Sequence, residues 1–176
     1  PARHYQHSRI GYNYRMSNVT AGIGRGQMLH LDEHKARKKE IYRQYQKAFQ
    51  DIPEILLNPL NEDGDANCWL TCMTIEKGCA VTPDEVMDAL AAENIESRPI
   101  WKPMHLQPVF ADCDFITAKG SAKGSGKESA ESGDEAEESV AADIFSRGLC
   151  LPSDIKNTKE DMELIIKTVR KCFGRQ

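Results

Sequence analysis

The 176 residues contain no apolar run near the roughly 18 needed to cross a bilayer, and the opening Pro1-Ala2-Arg3-His4 has no apolar signal core. No membrane partner is expected, and the expected compartment is the cytoplasm. A basic excess is also lacking. Lys and Arg number 23 against 27 Asp and Glu, a formal charge of -4, so nucleic acid is not an expected partner. None of the six cysteines stands in a CxxC pair, and without an export signal they read as reduced thiols. Cys68 and Cys72, four apart in a strand-like run, would share one face and suit apolar packing. Zinc sites show a tighter ligand pair and a second pair. Internal repeats are absent. What remains, 40% hydrophobic and 28% charged, suffices for one compact core or a domain with an appendage.

The first strong element opens at Ser17, a cap residue. Apolar residues then recur at Val19, Ile23, Leu31, Ile41, Tyr45 and Phe49, which predicts one long or bent helix to about Phe49. Gly22, Gly24 and Gly26 in its first turns each cost roughly 1 kcal/mol relative to alanine, so close approach of another backbone is expected to compensate. The charges from Asp32 to Lys47 read as a solvated face. Asn58 to Asn67 is a loop by its turn residues, and Cys68 to Ile75 reads as a strand. Thr82, Pro83 and Glu85 mark a capped helix carrying Val86, Met87, Leu90 and Ala91, which ends near Asn94. Ile95 to Ile100 reads as a short strand and Leu106 to Phe110 as a turn or short helix. From Ala118 to Ser139 small and charged residues predict a disordered insertion. A short helix with Ile144 and Phe145 stops at Gly148, and Leu149 to Leu151 forms a strand. The last helix, capped by Thr158, buries Met162, Ile165, Ile166, Val169 and Phe173. The sum is an α+β arrangement, a small sheet with flanking helices and one long leading helix. The expected segments are 1–50 (interface and long helix), 51–117 (first part of the small domain), 118–139 (insertion) and 140–176 (remainder).

Three blocks add a family. Ile10-Gly11-Tyr12-Asn13-Tyr14-Arg15-Met16-Ser17-Asn18 runs into Ala21-Gly22-Ile23-Gly24, Gln27 and Leu31-Asp32. Arg98-Pro99-Ile100-Trp101-Lys102-Pro103-Met104-His105-Leu106-Gln107-Pro108 follows downstream, and Gly148-Leu149-Cys150-Leu151-Pro152-Ser153 precedes the last helix. Together they resemble the DegT/DnrJ/EryC1/StrS aminotransferases, which make amino sugars on nucleotide carriers. The second block is similar to the branch acting on nucleotide-linked 4-keto-6-deoxy-N-acetylhexosamines.

That resemblance implies the C-terminal small domain of a fold-type I enzyme dependent on pyridoxal 5'-phosphate. Such an enzyme moves an amino group, from glutamate, to a keto carbon of a nucleotide-linked sugar, with the cofactor as electron sink. The family's Schiff-base lysine lies some tens of residues before the Gly-Tyr-Asn-Tyr-Arg block, and only ten residues precede Gly11 here. No lysine present has the family's serine-led, glycine-followed setting, and Lys102 falls in a motif of another role. The expectation is a chain without its catalytic lysine, inactive alone and joined as a homodimer through the leading helix. Asn13 matches the asparagine that reaches the cofactor phosphate of the other subunit, against the plain reading of a turn asparagine. Arg15 matches a position suited to the anionic part of the substrate. Trp101 and His105 match the substrate-side block, as a flat ring for a base or sugar and a hydrogen-bonding imidazole. Trp101 as small-domain packing is the competing view. His30 and His34, four apart on a helix, lack a third metal ligand, so no metal is expected. The competing function is a non-catalytic interaction or regulatory module that kept the dimer helix.

Overall fold

The computed structural model describes residues 9–117, 120–123 and 139–175. The chain divides into two compact units, Pro1–His34 and Lys35–Gln176, with the boundary inside a helix.

In the first unit, α1 spans Asn18–Met28. The Ser17 hydroxyl caps it by accepting from the Thr20 N–H at 3.2 Å, meeting one of the orphan donors of a helix start. A second helix, α2, spans Leu31–Phe49. The long or bent helix predicted from Ser17 is thus two helices, broken at Leu29–His30. The break is closed by short-range bonds from the Leu29 N–H to the Gly26 carbonyl and from the His30 N–H to the Gln27 carbonyl. Three glycines within one short helix lower its persistence, and the last of them supplies a carbonyl for the break. Among the described residues nothing lies within 4 Å of a Cβ built on Gly22, Gly24 or Gly26, so the close backbone expected there is not found among them.

The second unit begins with the rest of α2, where Ile41, Tyr42, Tyr45 and Phe49 are buried at helical spacing. A four-stranded antiparallel sheet follows, in the order β1-β2-β6-β3. Its strands are β1 (Ile55–Leu57), β2 (Thr71–Ile75), β3 (Arg98–Pro99) and β6 (Gly148–Leu151). Ile55 faces Ile75 across β1 and β2, Cys72 faces Cys150 across β2 and β6, and Arg98 faces Cys150 across β3 and β6. Thr71, Met73 and Ile75 are buried on one face of β2, while Cys72 and Thr74 alternate onto the other and are half-buried. Two helices share the core with the sheet. They are α3 (Pro83–Ala92), with Val86 and Leu90 buried, and α5 (Lys159–Cys172), with Met162, Ile165 and Val169 buried. Both carry complete capping boxes, Thr82 with Glu85 and Thr158 with Asp161. Each buried aliphatic side chain contributes about 1.5–3 kcal/mol by leaving water. Asn94 ends α3 with a left-handed φ of 59°.

Two details correct the sequence reading. Cys68 lies before β2 with φ of 51°, so the face-sharing argument for Cys68 and Cys72 fails, although Cys68 is buried. Gly120–Lys123 (β5), expected inside the disordered insertion, pairs antiparallel with Asp114–Thr117 (β4). Main-chain hydrogen bonds hold that ladder, and small residues can make them without an apolar anchor. The rest of the insertion, residues 118–119 and 124–138, lies outside the described residues. The helix α4 (Val140–Arg147) leads into β6, and its Arg147 grips Asp143 through two nitrogens and donates to the Ile75 carbonyl at 2.9 Å. Among the described residues no helix is long and apolar enough to cross a membrane.

Candidate functional site

The Tyr-Asn-Tyr-Arg motif sits in the first unit, just before the Ser17 cap. The Asn13 Oδ1 accepts the Arg15 N–H at 3.1 Å, the side-chain turn that asparagine favours. Tyr14 occupies the left-handed region, φ 53°, and its ring meets Tyr12 edge-on with centroids 5.7 Å apart. The bond to Arg15 uses only the amide oxygen. The Asn13 Nδ2 and the Arg15 guanidinium are exposed and have no acceptor among the described residues. An amide N–H and a guanidinium two residues apart make a donor set suited to a phosphate. Both readings of Asn13, turn former and phosphate donor, fit the same side chain.

Trp101 and His105 belong to the second unit, where the structure gives them different partners. Trp101 stacks on Trp69, with centroids 5.8 Å apart and planes at 30°. Both rings stay mostly open to solvent, at 59% and 61%. They line a cleft of about 450 Å³ with Arg98, Ser97 and Cys150, a size within the range of small-molecule sites. Packing of Trp101 in a core, the competing view, does not fit an exposed ring pair at a cleft. The Arg98 guanidinium rests on Glu96 at 2.6 and 2.8 Å, and the Ser97 hydroxyl is buried with no hydrogen-bond partner among the described residues.

His105 lies on a 3-10 turn, Met104–Leu106, with its imidazole face against Phe115 at 4.1 Å between centroids. It is not among the residues lining the cleft. The stacking fixes the plane of the imidazole. A larger groove, about 680 Å³, runs over Met162 and Ile166 between α2 and α5, rimmed by charges, and contains none of the motif residues.

The cleft walls are fixed from α2. The Lys38 ammonium donates to the carbonyls of Trp69, at 3.0 Å, and Ser153. The Ser153 hydroxyl accepts the Thr71 N–H at 3.0 Å and donates to the Leu151 carbonyl at 2.9 Å. Arg37 reaches the Asn157 carbonyl, and Lys35 and Lys39 both hold Asp65. Much of the charged stretch of α2 that reads as solvated is therefore tied to loops. Sequence reasoning missed Lys38, Trp69 and the pairing of Cys72 with Cys150. Lys38 reaches partners 31 and 115 residues away, so no local pattern could reveal it. Trp69 did carry a signal, as a second tryptophan in a chain with only two. His30 and His34 stack with centroids 5.9 Å apart, and His30 Nδ1 lies 3.4 Å from Glu33.

Residues 1–170 match the DegT/DnrJ/EryC1/StrS aminotransferase family. EpsN of Bacillus subtilis (strain 168), named as a pyridoxal phosphate-dependent aminotransferase, is 36% identical over 173 residues, 98% of this chain and 40% of EpsN. The GDP-perosamine synthase of Caulobacter vibrioides is 33% identical over 112 residues, 63% of this chain and 30% of that protein. Among solved structures, S. venezuelae DesV in complex with a ketimine intermediate superimposes with a TM-score of 0.73 at 22% identity. That likeness covers 99% of this chain and 42% of DesV. A family aminotransferase from Brucella abortus gives a TM-score of 0.70 at 22% identity, over 98% of this chain and 40% of its own. The chain thus spans about 40% of the length of the relatives that it matches end to end.

Proposed function

The chain belongs to the DegT/DnrJ/EryC1/StrS aminotransferase family, and from that premise we propose that it forms the C-terminal part of a transaminase acting on a nucleotide-linked keto sugar. The amino donor is glutamate and the cofactor pyridoxal phosphate. The observation that carries this reading is the exposed Asn13–Arg15 turn, which presents phosphate-binding donors with no acceptor in the described chain. When bound, the cofactor supplies an electron sink for the carbon that loses or gains a proton. This chain's own residues bind and orient. The Asn13 amide donates to the cofactor phosphate of a second subunit. Arg15 pairs with the anionic part of the substrate, where its fork can engage two oxygens at once. Trp101, backed by Trp69, offers its ring face to a base or a sugar. His105, its plane set by Phe115, hydrogen-bonds the substrate.

The homodimer of this reading forms through the first unit. Ile10, Tyr12, Tyr14, Val19, Ile23 and Leu29 are all exposed there, and an exposed apolar row of that kind marks an interaction site. The three glycines of α1, open on the side where a Cβ would stand, let a second backbone come close. GDP-perosamine synthases are among the relatives, which supports a nucleotide-linked hexose as substrate class. Lys102 is not the catalytic lysine on this reading, and the 176 residues turn over no substrate alone.

The test is to add pyridoxal phosphate to the purified chain, reduce with borohydride and map the peptides. Scattered, substoichiometric labelling of surface lysines is the expected result. One stoichiometric adduct, above all on Lys102, would overturn the reading, as would transamination of a nucleotide-linked keto sugar by the chain alone.

A further inference from the structure

Cys72 and Cys150 face each other directly across β2 and β6, and their sulfurs lie 3.6 Å apart. Opposed Cα atoms of an antiparallel pair are about 4.5–5.5 Å apart, inside the roughly 4.4–6.8 Å span that disulfides bridge. The backbone therefore needs no rearrangement. Side-chain rotation must bring the sulfurs closer by roughly 1.5 Å to reach bonding distance. Both residues sit on the sheet face opposite the core side of β2. Cys72 is half-buried, and Cys150 forms part of the wall of the tryptophan cleft. The strands are held independently of the sulfurs. The Cys72 N–H donates to Asn58 Oδ1 at 2.9 Å, and Lys38 and Ser153 lock the end of β6 against the start of β2.

The thiol–thiol hydrogen bond makes the two groups unequal. It holds the Cys72 thiol below the usual range, and it pushes Cys150 up, with burial adding to the rise. Two facing thiols in hydrogen-bond contact, the Cys72 thiol the more readily ionised, can serve as an attacking and a resolving cysteine. Cys113 is exposed, and Cys79 and Cys172 are half-buried; no other pair of thiols is joined by a hydrogen bond among the described residues.

We propose that Cys72 and Cys150 form a redox modification site, oxidised by hydrogen peroxide to an intramolecular disulfide that fastens β2 to β6 and shifts one wall of the tryptophan cleft. In the first step the Cys72 thiolate attacks the peroxide, the O–O bond breaks, and Cys72 becomes a sulfenic acid as hydroxide leaves and takes up a proton. In the second, the Cys150 sulfur attacks Cys72, the S–S bond forms, the S–O bond breaks and water departs with the Cys150 proton. Two thiols lose two electrons and the peroxide is reduced to two waters. A dithiol reductant reverses the change by thiol–disulfide exchange. The two tryptophans of the chain, Trp69 and Trp101, both line the cleft, so their fluorescence reports on it.

The test treats the reduced chain with increasing hydrogen peroxide, follows tryptophan emission, and maps unreduced peptides by mass. A linked Cys72–Cys150 peptide, ~2 Da below the sum of its parts, should form about tenfold faster than Cys79 is modified, with quenching that dithiothreitol restores. In Cys150→Ser, Cys72 should instead carry one oxygen, and the emission change should disappear. Three results would overturn the proposal. They are modification of Cys113 with no 72–150 link, a link between two chains, or an unaltered emission change in Cys150→Ser. None of these readouts involves transamination, so the proposal stands or falls apart from that activity.

Discussion

The two units carry the same apolar rhythm and treat it in opposite ways. Val19 and Ile23 of α1 are exposed at 74% and 63%, whereas Ile41 and Tyr45 of α2 are fully buried. In the second unit the face finds partners in β2, α3 and α5 of its own chain. In the first, every described residue from Arg9 to Glu33 is exposed. Periodicity identifies a face that gains by leaving water, and leaves open who covers it. The largest expected effect tests this contrast. Leu90→Ala, which empties space in a closed core, should cost about 2–5 kcal/mol in urea unfolding. Ile23→Ala should stay within about 0.5 kcal/mol for the dilute chain. Comparable costs at both sites would mean that α1 is buried against its own chain after all.

If α1 waits for a second copy, a charge on its apolar row should act on association and leave folding alone. Ile23→Asp should weaken self-association about tenfold or more, a loss of about 1.4 kcal/mol, in light scattering over a dilution series. The melting temperature of the dilute chain should not move. A wild-type chain that stays monomeric throughout the series would remove the dimer from the proposed function.

Local signals account for what the sequence shows plainly. Thr82, Pro83 and Glu85 lie within four residues, so the start of α3 and its capping box are legible, and Thr158 with Asp161 does the same for α5. The stop at Asn94 and the strand after Gly148 follow from single residues. The position of the break at Leu29–His30 is not legible, because the glycines that weaken the helix lie before it and the apolar spacing runs on across it. Ile55–Leu57 is too short to show alternation, and it becomes a strand only because β2 offers an edge. Asn13, Arg15, Trp101 and His105 stand out in the sequence through their motifs, and of these Trp101 lines the cleft of the second unit. The features that shape that cleft, Lys38 on two carbonyls and Cys72 opposite Cys150, depend on contacts across long stretches of chain. No spacing rule reaches so far.

The smallest expected effect concerns acid. Five carboxylates of the second unit, Glu40, Asp51, Asp65, Asp143 and Asp161, are held below the usual range. Asp65 is the furthest displaced, brought down to about 2 by hydrogen bonds from Lys35 and then Lys39. Those two lysines stand one turn apart on α2, so a single carboxylate ties the Asn58–Asn67 loop to the helix. A depressed folded-state value means that the unfolded chain takes up the proton first. Any stability from the clamp is then complete above about pH 4, the unfolded value, and fades as pH falls toward about 2. Asp65 is exposed, so water and salt screen the clamp and its share is small. Asp65→Asn should flatten the fall in melting temperature between about pH 4 and pH 2 slightly, and leave the value at pH 7 almost unchanged. The remaining slope belongs to the other four carboxylates, Asp51 with Arg170 and Asp143 with Arg147 foremost. An acid limb identical to wild type would show that the two lysines order the loop without stabilising the fold.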